Sequence, residues 1–338
     1  MKKFFPILLI FFMGFSGWSH AEKIIVVDRI GTGDFRNIQQ AIDSVRAFNP
    51  DGWVTIYIKN GFYKEKIEIP THICNIRLIG EDRDKTIISF DDYAKINNMG
   101  TFKTFTLKIC GNDMLVENLT IENAAAPVAQ AVALHVEGDR IVFLNCRFLG
   151  NQDTVYAGRE NSRQYFENCY IEGTTDFIFG PATCWFEKCQ IYCKRNSYIT
   201  AASTPQNIPY GFIFNNCTVS LADSVNAVYL GRPWRPYAMT VFMNCYLPKG
   251  IAPAGWHNWK NPENEKTARY YECNNSGEGS RTDLRVKWAK ILTSKEAQNF
   301  TVEKVLSGYD NWNPLEIIKL NKQIDNPFFR ELLKSIVR

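Results

Sequence analysis

Short apolar runs, rather than long amphipathic stretches, set the rhythm of this chain. Val, Ile, Phe and Tyr dominate WVTIYI (53–58), NIRLIG (75–80), LVENLTI (115–121), RIVFLNCRF (140–148), RQYFENCYI (163–171), CWFEKCQIY (184–192), GFIFNNCTV (211–219) and TVFMNCYL (240–247). Gly, Asn and Asp fill the intervals. Such runs read as strands bounded by turns. No helical period of ordinary length separates them, so an alternating βαβ sheet is disfavoured. Five runs share one frame, with Cys146, Cys169, Cys189, Cys217 and Cys245 at intervals of 20 to 28 residues. Self-similarity at that period predicts a solenoid. The expected fold is all-β: a right-handed, single-stranded parallel β-helix. An N-terminal helix over FRNIQQAIDSVRAF (35–48), with Ile38, Ala41, Ile42 and Val45 on one face, is expected to cap its open end. Beyond Trp288, ILTSKEAQNFTVEKVL and LEIIKLNKQIDNPFFRELLKSIVR predict helical segments that close or flank the other end.

The first residues, MKKFFPILLIFFMGFSGWSHA, follow a different pattern: two lysines, an apolar run from Phe4 to about Phe15, then small residues at Ser19 and Ala21. That layout predicts a signal peptide over 1–21 and an exported protein, periplasmic or secreted, rather than a membrane anchor. Loss of Lys2 and Lys3 lowers the formal charge from +4 to +2. Such a balance lacks the basic excess of a nucleic-acid binder, and no nucleic-acid partner is expected. Ten cysteines in an exported chain usually suggest disulfides. The shared strand frame of five of them predicts stacked interior thiols instead, and their spacing is too wide for a zinc site. Metal binding by these cysteines is not expected.

Two frames also carry an acid. NCRFLGNQDT (145–154) and NCYIEGTTDF (168–177) align Asn145 with Asn168, Cys146 with Cys169, Gly150 with Gly173 and Asp153 with Asp176. Stacked coils would set the two carboxylates side by side, about 4.7–4.9 Å of strand spacing apart. Two such neighbours resist joint ionisation, which provides a nucleophile or base beside a general acid. An aspartate ladder capping turns has the same appearance. Gln152 and Gln130 add amides able to donate to an oxyanion. In YLGRPW (229–234), Arg232 could hold a carboxylate ionised and Trp234 could offer a flat face to a sugar.

Taken in order, GTGDFRNIQQAI, GFYKEKI, LIGEDRDKTII, QAVALHVEGDR, GNQDTVY, CYIEGTTDFIFG, YLGRPW, GWHNW and NPENEKTARYYECNNSGEGS resemble the pectin methylesterase (pectinesterase) family over roughly residues 24–314. The resemblance implies hydrolysis of the C6 methyl esters of homogalacturonan to pectate and methanol, with no metal and no organic cofactor. It makes Asp176 the nucleophile and Asp153 the acid and base. Gln130 and Gln152 become oxyanion donors and Arg232 the partner of the nucleophile. Trp234, Arg232 and Phe179 become substrate contacts. It divides the chain into the signal peptide, a catalytic domain over 22–314 and an extension over 315–338, and a monomer is expected. Asn151, His135 and a longer AGRENSRQ loop depart from plant members. Two alternatives are another pectin-degrading β-helix, either a lyase or a polygalacturonase, and a non-catalytic solenoid that binds carbohydrate through Trp234, Trp256 and Trp259. The chain shows neither the acidic calcium cluster of a lyase nor the carboxylates of an inverting hydrolase.

Overall fold

The structure, a computed structural model, describes residues 23–324, with the side chains of 322–324 excepted. The signal-peptide expectation lies outside the described residues, as does the last part of the predicted extension.

Each coil visits three sheets in turn. Ile141–Leu144 lies in a wide sheet, Arg147–Leu149 in a second and Val155–Ala157 in a third, before Arg163–Glu167 returns to pair with Ile141–Leu144. Among the described residues, repetition builds one eleven-stranded and two seven-stranded sheets in which every strand pairing is parallel. This is the expected parallel β-helix.

The period-two pattern explains the interior. Inward residues of the wide sheet stack as a column, Phe143, Phe166, Phe186, Phe214 and Phe242, with successive ring centroids 4.6, 4.6, 4.4 and 4.4 Å apart. Beside it run Cys146, Cys169, Cys189, Cys217 and Cys245, all buried and free, as the shared frame predicts. The bend into the second sheet rests on one residue per coil in the left-handed region. Asn118, Asn145, Asn168, Asn216, Asn244 and Asn274 adopt φ between 49° and 55°, and Lys188 takes the same place at 52°. Asparagine tolerates that conformation because its short amide bonds locally. Side chains also link neighbours, as where Asn145 Nδ2 donates to Asn118 Oδ1 at 2.7 Å.

The capping helix spans Ile38–Asp43, shorter than its sequence pattern. Ile38, Ala41 and Ile42 are fully buried over the first coil. Its free N–H groups are satisfied from outside, since the Glu65 carboxylate accepts from Ile38 and Gln39 at 3.0 and 3.1 Å.

At the other terminus the expected helical segments are present, and they flank the coil rather than close it. Helices Ser294–Ala297, Val302–Leu306 and Pro314–Ile324 do not close the far end, which Val286, Trp288 and Ala289 pack. Val305, Leu306, Trp312 and Ile318 instead cover the outer face of the wide sheet, on Leu115, Val142, Tyr165, Trp185, Ile213 and Val241. Polar contacts tie this arm down: the buried Arg163 Nη2 reaches Asp139 at 2.7 Å and the exposed Asp310 at 2.8 Å, and Asn321 Nδ2 donates to Glu117 at 2.6 Å. Among the described residues no helix is long and apolar enough to cross a membrane.

Candidate active site

The turns that join the second sheet to the third gather at one corner of the coil. Gln130 lies between Thr120–Asn123 and Leu134–Val136, Gln152 and Asp153 between Arg147–Leu149 and Val155–Ala157, and Asp176 between Tyr170–Gly173 and Ile178–Gly180. The pairings Arg147↔Tyr170 and Val155↔Ile178 bracket the two acids, so the repeated frame does stack Asp153 on Asp176. Both adopt left-handed backbone, at φ 67° and 48°. Their N–H groups donate to the following coil, Asp153 to Thr175 at 3.1 Å and Asp176 to Tyr198 at 2.8 Å. Gly173 allows the tight turn between them, because a Cβ there would meet the Phe177 side chain and the Asn151 carbonyl.

Arg232 follows strand Tyr229–Gly231, two coils beyond Asp176, and reaches back across the coil between. Gly231 makes the close approach possible, since a Cβ would collide with Thr200 Oγ1. The contact is bidentate: Nε to Oδ1 at 2.9 Å and Nη2 to Oδ2 at 2.6 Å. Such a fork favours the ionised carboxylate.

Burial pushes both aspartates above the usual carboxylate range, but their surroundings separate them. For Asp176, Arg232 opposes the rise through its hydrogen bonds and its charge. Asp153 rises much further, driven first by burial and then by the charge of Asp176, with only a distant pull from Arg232. The pair therefore loses its first proton from Asp176. Gln130 and Gln152 are half-buried on consecutive coils, linked where the Ala131 N–H donates to the Gln152 carbonyl at 3.1 Å.

An aromatic row flanks the acids on the outer face of the third sheet. Phe102 meets Tyr156 at 4.9 Å, Tyr156 meets Phe179 at 4.9 Å, and Phe179 meets Trp234 at 5.9 Å between centroids. Phe179 is mostly buried beneath the half-buried Trp234. His135 continues the column before Tyr156, its Nε2 2.8 Å from Glu137 Oε1. Trp256 is a correction: it is 1% exposed, with Nε1 bonded to Glu272, and so contributes no surface. Tyr198 is a neighbour that sequence reasoning passed over, although its place one coil after Asp176 follows from the spacing of DFIFG and SYITAA.

The chain as a whole is similar to known proteins. The chain is 37% identical to Pectinesterase 31 of Arabidopsis thaliana over 82% of its own length and 90% of that protein's. Its structure is similar to pectin methylesterase from carrot, with a TM-score of 0.80 and 33% identity, covering 84% of this chain and 93% of that one. It is also similar to pectin methylesterase PemA from Erwinia chrysanthemi, with a TM-score of 0.73 and 29% identity, covering 86% and 98%. The Pectinesterase family model matches residues 24–309, and the chain belongs to the pectinesterase family.

Proposed function

We propose that Asp176 and Asp153 divide the hydrolysis of C6 methyl esters in homogalacturonan, the carboxylic ester hydrolase chemistry of this family. The observation that carries this reading is the asymmetric pair: Asp176 in a bidentate contact with Arg232, and Asp153 without such a partner on the adjoining coil. Asp176 attacks the ester carbonyl carbon, and the amides of Gln130 and Gln152 donate to the oxygen that gains charge. As the tetrahedral adduct collapses, Asp153 gives its proton to the methoxy oxygen and methanol leaves. Asp153, now a base, takes a proton from water as that water attacks the acyl-enzyme. Pectate departs, and both aspartates regain their starting states.

The row of Tyr156, Phe179 and Trp234 supports a sugar chain laid along the third sheet, with Trp234 and Arg232 nearest the reacting ester. An exported location, a signal peptide over 1–21, a catalytic domain over 22–314, an extension over 315–338 and a monomeric state belong to the same proposal. The test is methanol release from highly methylated pectin by residues 22–338, beside Asp176→Asn. Release by wild type and its loss in a folded variant is expected. A folded wild type that releases no methanol from polymer or from methylated oligomers would overturn the reading in favour of a binding solenoid.

A further inference from the structure

We propose that Tyr198 and Trp259 are positioning residues for this hydrolysis, clamping the Arg232 guanidinium between two rings so that its Nε–Nη2 edge stays turned to Asp176. The proposal rests on the assignment of Asp176 as nucleophile. The guanidinium carbon lies 3.9 Å from the Tyr198 ring centroid and 3.6 Å from that of Trp259. Two rings cannot share one face of a planar group at that range, so they occupy opposite faces.

The fold explains why a clamp is needed. Arg232 must bridge a whole coil, and a long side chain with several free torsions would otherwise disperse over rotamers. Tyr198 is the residue of the bridged coil: its carbonyl accepts the Asp176 N–H, and its backbone pairs with Tyr229. It therefore forms the floor over which the arginine passes. Trp259 forms the lid, held by an unusual loop. Trp259 and Lys260 both adopt left-handed backbone, at φ 60° and 58°, which persists in non-glycine residues only where the surroundings enforce it. Here the Trp259 N–H donates to His257 Nδ1 at 3.1 Å and the Lys260 N–H to Asn258 Oδ1 at 2.9 Å. The His257 ring in turn stands against Tyr198 and Tyr229, 5.3 and 5.5 Å between centroids. The clamp is thus one closed assembly.

Its chemical effect is twofold. Ring faces attract the cation and exclude water from it, which strengthens the contact with the carboxylate. They also leave only the guanidinium edge free to bond. Without the clamp Arg232 would hold Asp176 ionised less well, and the carboxyl would retain its proton to higher pH.

The experiment compares Trp259→Leu and Tyr198→Leu with Trp259→Phe and Tyr198→Phe, following kcat, KM and the pH dependence of kcat/KM for methanol release, with Tm as the check on folding. The leucine variants are expected to lose roughly ten-fold in kcat with the acid limb displaced to higher pH, while the phenylalanine variants keep most activity. Folded leucine variants with unchanged kcat and acid limb would overturn the clamp. So would a loss confined to KM, which would leave Trp259 only as a wall for the sugar. Should Trp259→Leu not fold, Trp259→Met fills the same space without a π face and has the same two outcomes. Wild-type kcat in Asp176→Asn would remove the nucleophile assignment and the clamp together.

Discussion

The two corners that flank the second sheet are built on opposite plans. From the wide sheet into the second, the connection is two residues long in coil after coil, as at 118–119, 145–146, 168–169, 188–189 and 216–217. One left-handed residue makes each bend and the next side chain enters the core. From the second sheet into the third, the connections run to ten, five, four, four and seven residues, at 124–133, 150–154, 174–177, 194–197 and 222–228. The uniform corner sets the register of the coils. Because register is settled there, the irregular corner can vary in length and still present Gln130, Gln152, Asp153 and Asp176 at fixed heights.

Substitutions at the two corners should therefore fail differently. The largest effect is expected at the irregular corner, where Asp176→Asn removes the proposed nucleophile and should lower kcat about a thousand-fold or more with Tm little changed. Asp153→Asn should follow, with kcat down by roughly a hundred- to a thousand-fold. Its stability should change in the opposite sense. The folded state holds the Asp153 proton more tightly than the unfolded chain, so stability falls as pH rises from the usual value of 3.8 through the raised one. The asparagine variant should show the higher Tm at neutral pH, and the gain should vanish below about pH 3.8.

Wild-type kcat/KM should trace a bell, its acid limb set by ionisation of Asp176 and its basic limb by loss of the Asp153 proton. An acid limb unmoved in Arg232→Ala would break the link between that arginine and Asp176. At the uniform corner, Asn168→Ala should cost about 1 kcal/mol in chemical denaturation, since alanine resists φ 53°, yet leave kcat within about two-fold. The smallest effect sharpens the contrast most: Lys188→Asn, which completes the asparagine column, should add roughly 0.5 kcal/mol with no change in turnover. A deep loss of kcat from Asn168→Ala would mean that register and chemistry are not separable.

The stacked fold and the acid pair were legible because both rest on repetition. Aligned frames become adjacent coils, so Asp153 and Asp176 could be paired from spacing alone. Features that join unlike segments were hidden. Nothing local in Val302–Leu306 or Pro314–Ile324 shows that their apolar faces match Leu115, Val142 and Trp185, more than a hundred residues earlier. Trp256 and Trp259 stand three apart in GWHNW, yet one packs on Tyr270 inside the coil and the other on Arg232. Their separation depends on the turn that ends in left-handed Trp259 and Lys260, and on the hydrogen bond from the Trp259 N–H to His257 Nδ1. The arginine clamp draws on positions 198, 232 and 259, which meet only once three coils have closed.

The arm that covers the wide sheet has a consequence in time. A ribosome makes this chain from its N-terminal side, so all eleven described strands of that sheet precede the helices that shield it. Until Leu306, Trp312 and Ile318 emerge, a stripe of Leu115, Val142, Tyr165, Trp185, Ile213 and Val241 has no cover. A nascent chain that coiled early would display an adhesive flank for most of its synthesis. Arg163 would wait for Asp310, 147 residues away, before its charge was fully met. Completion of the chain, more than closure of any single coil, is the event that makes this solenoid safe from its own neighbours.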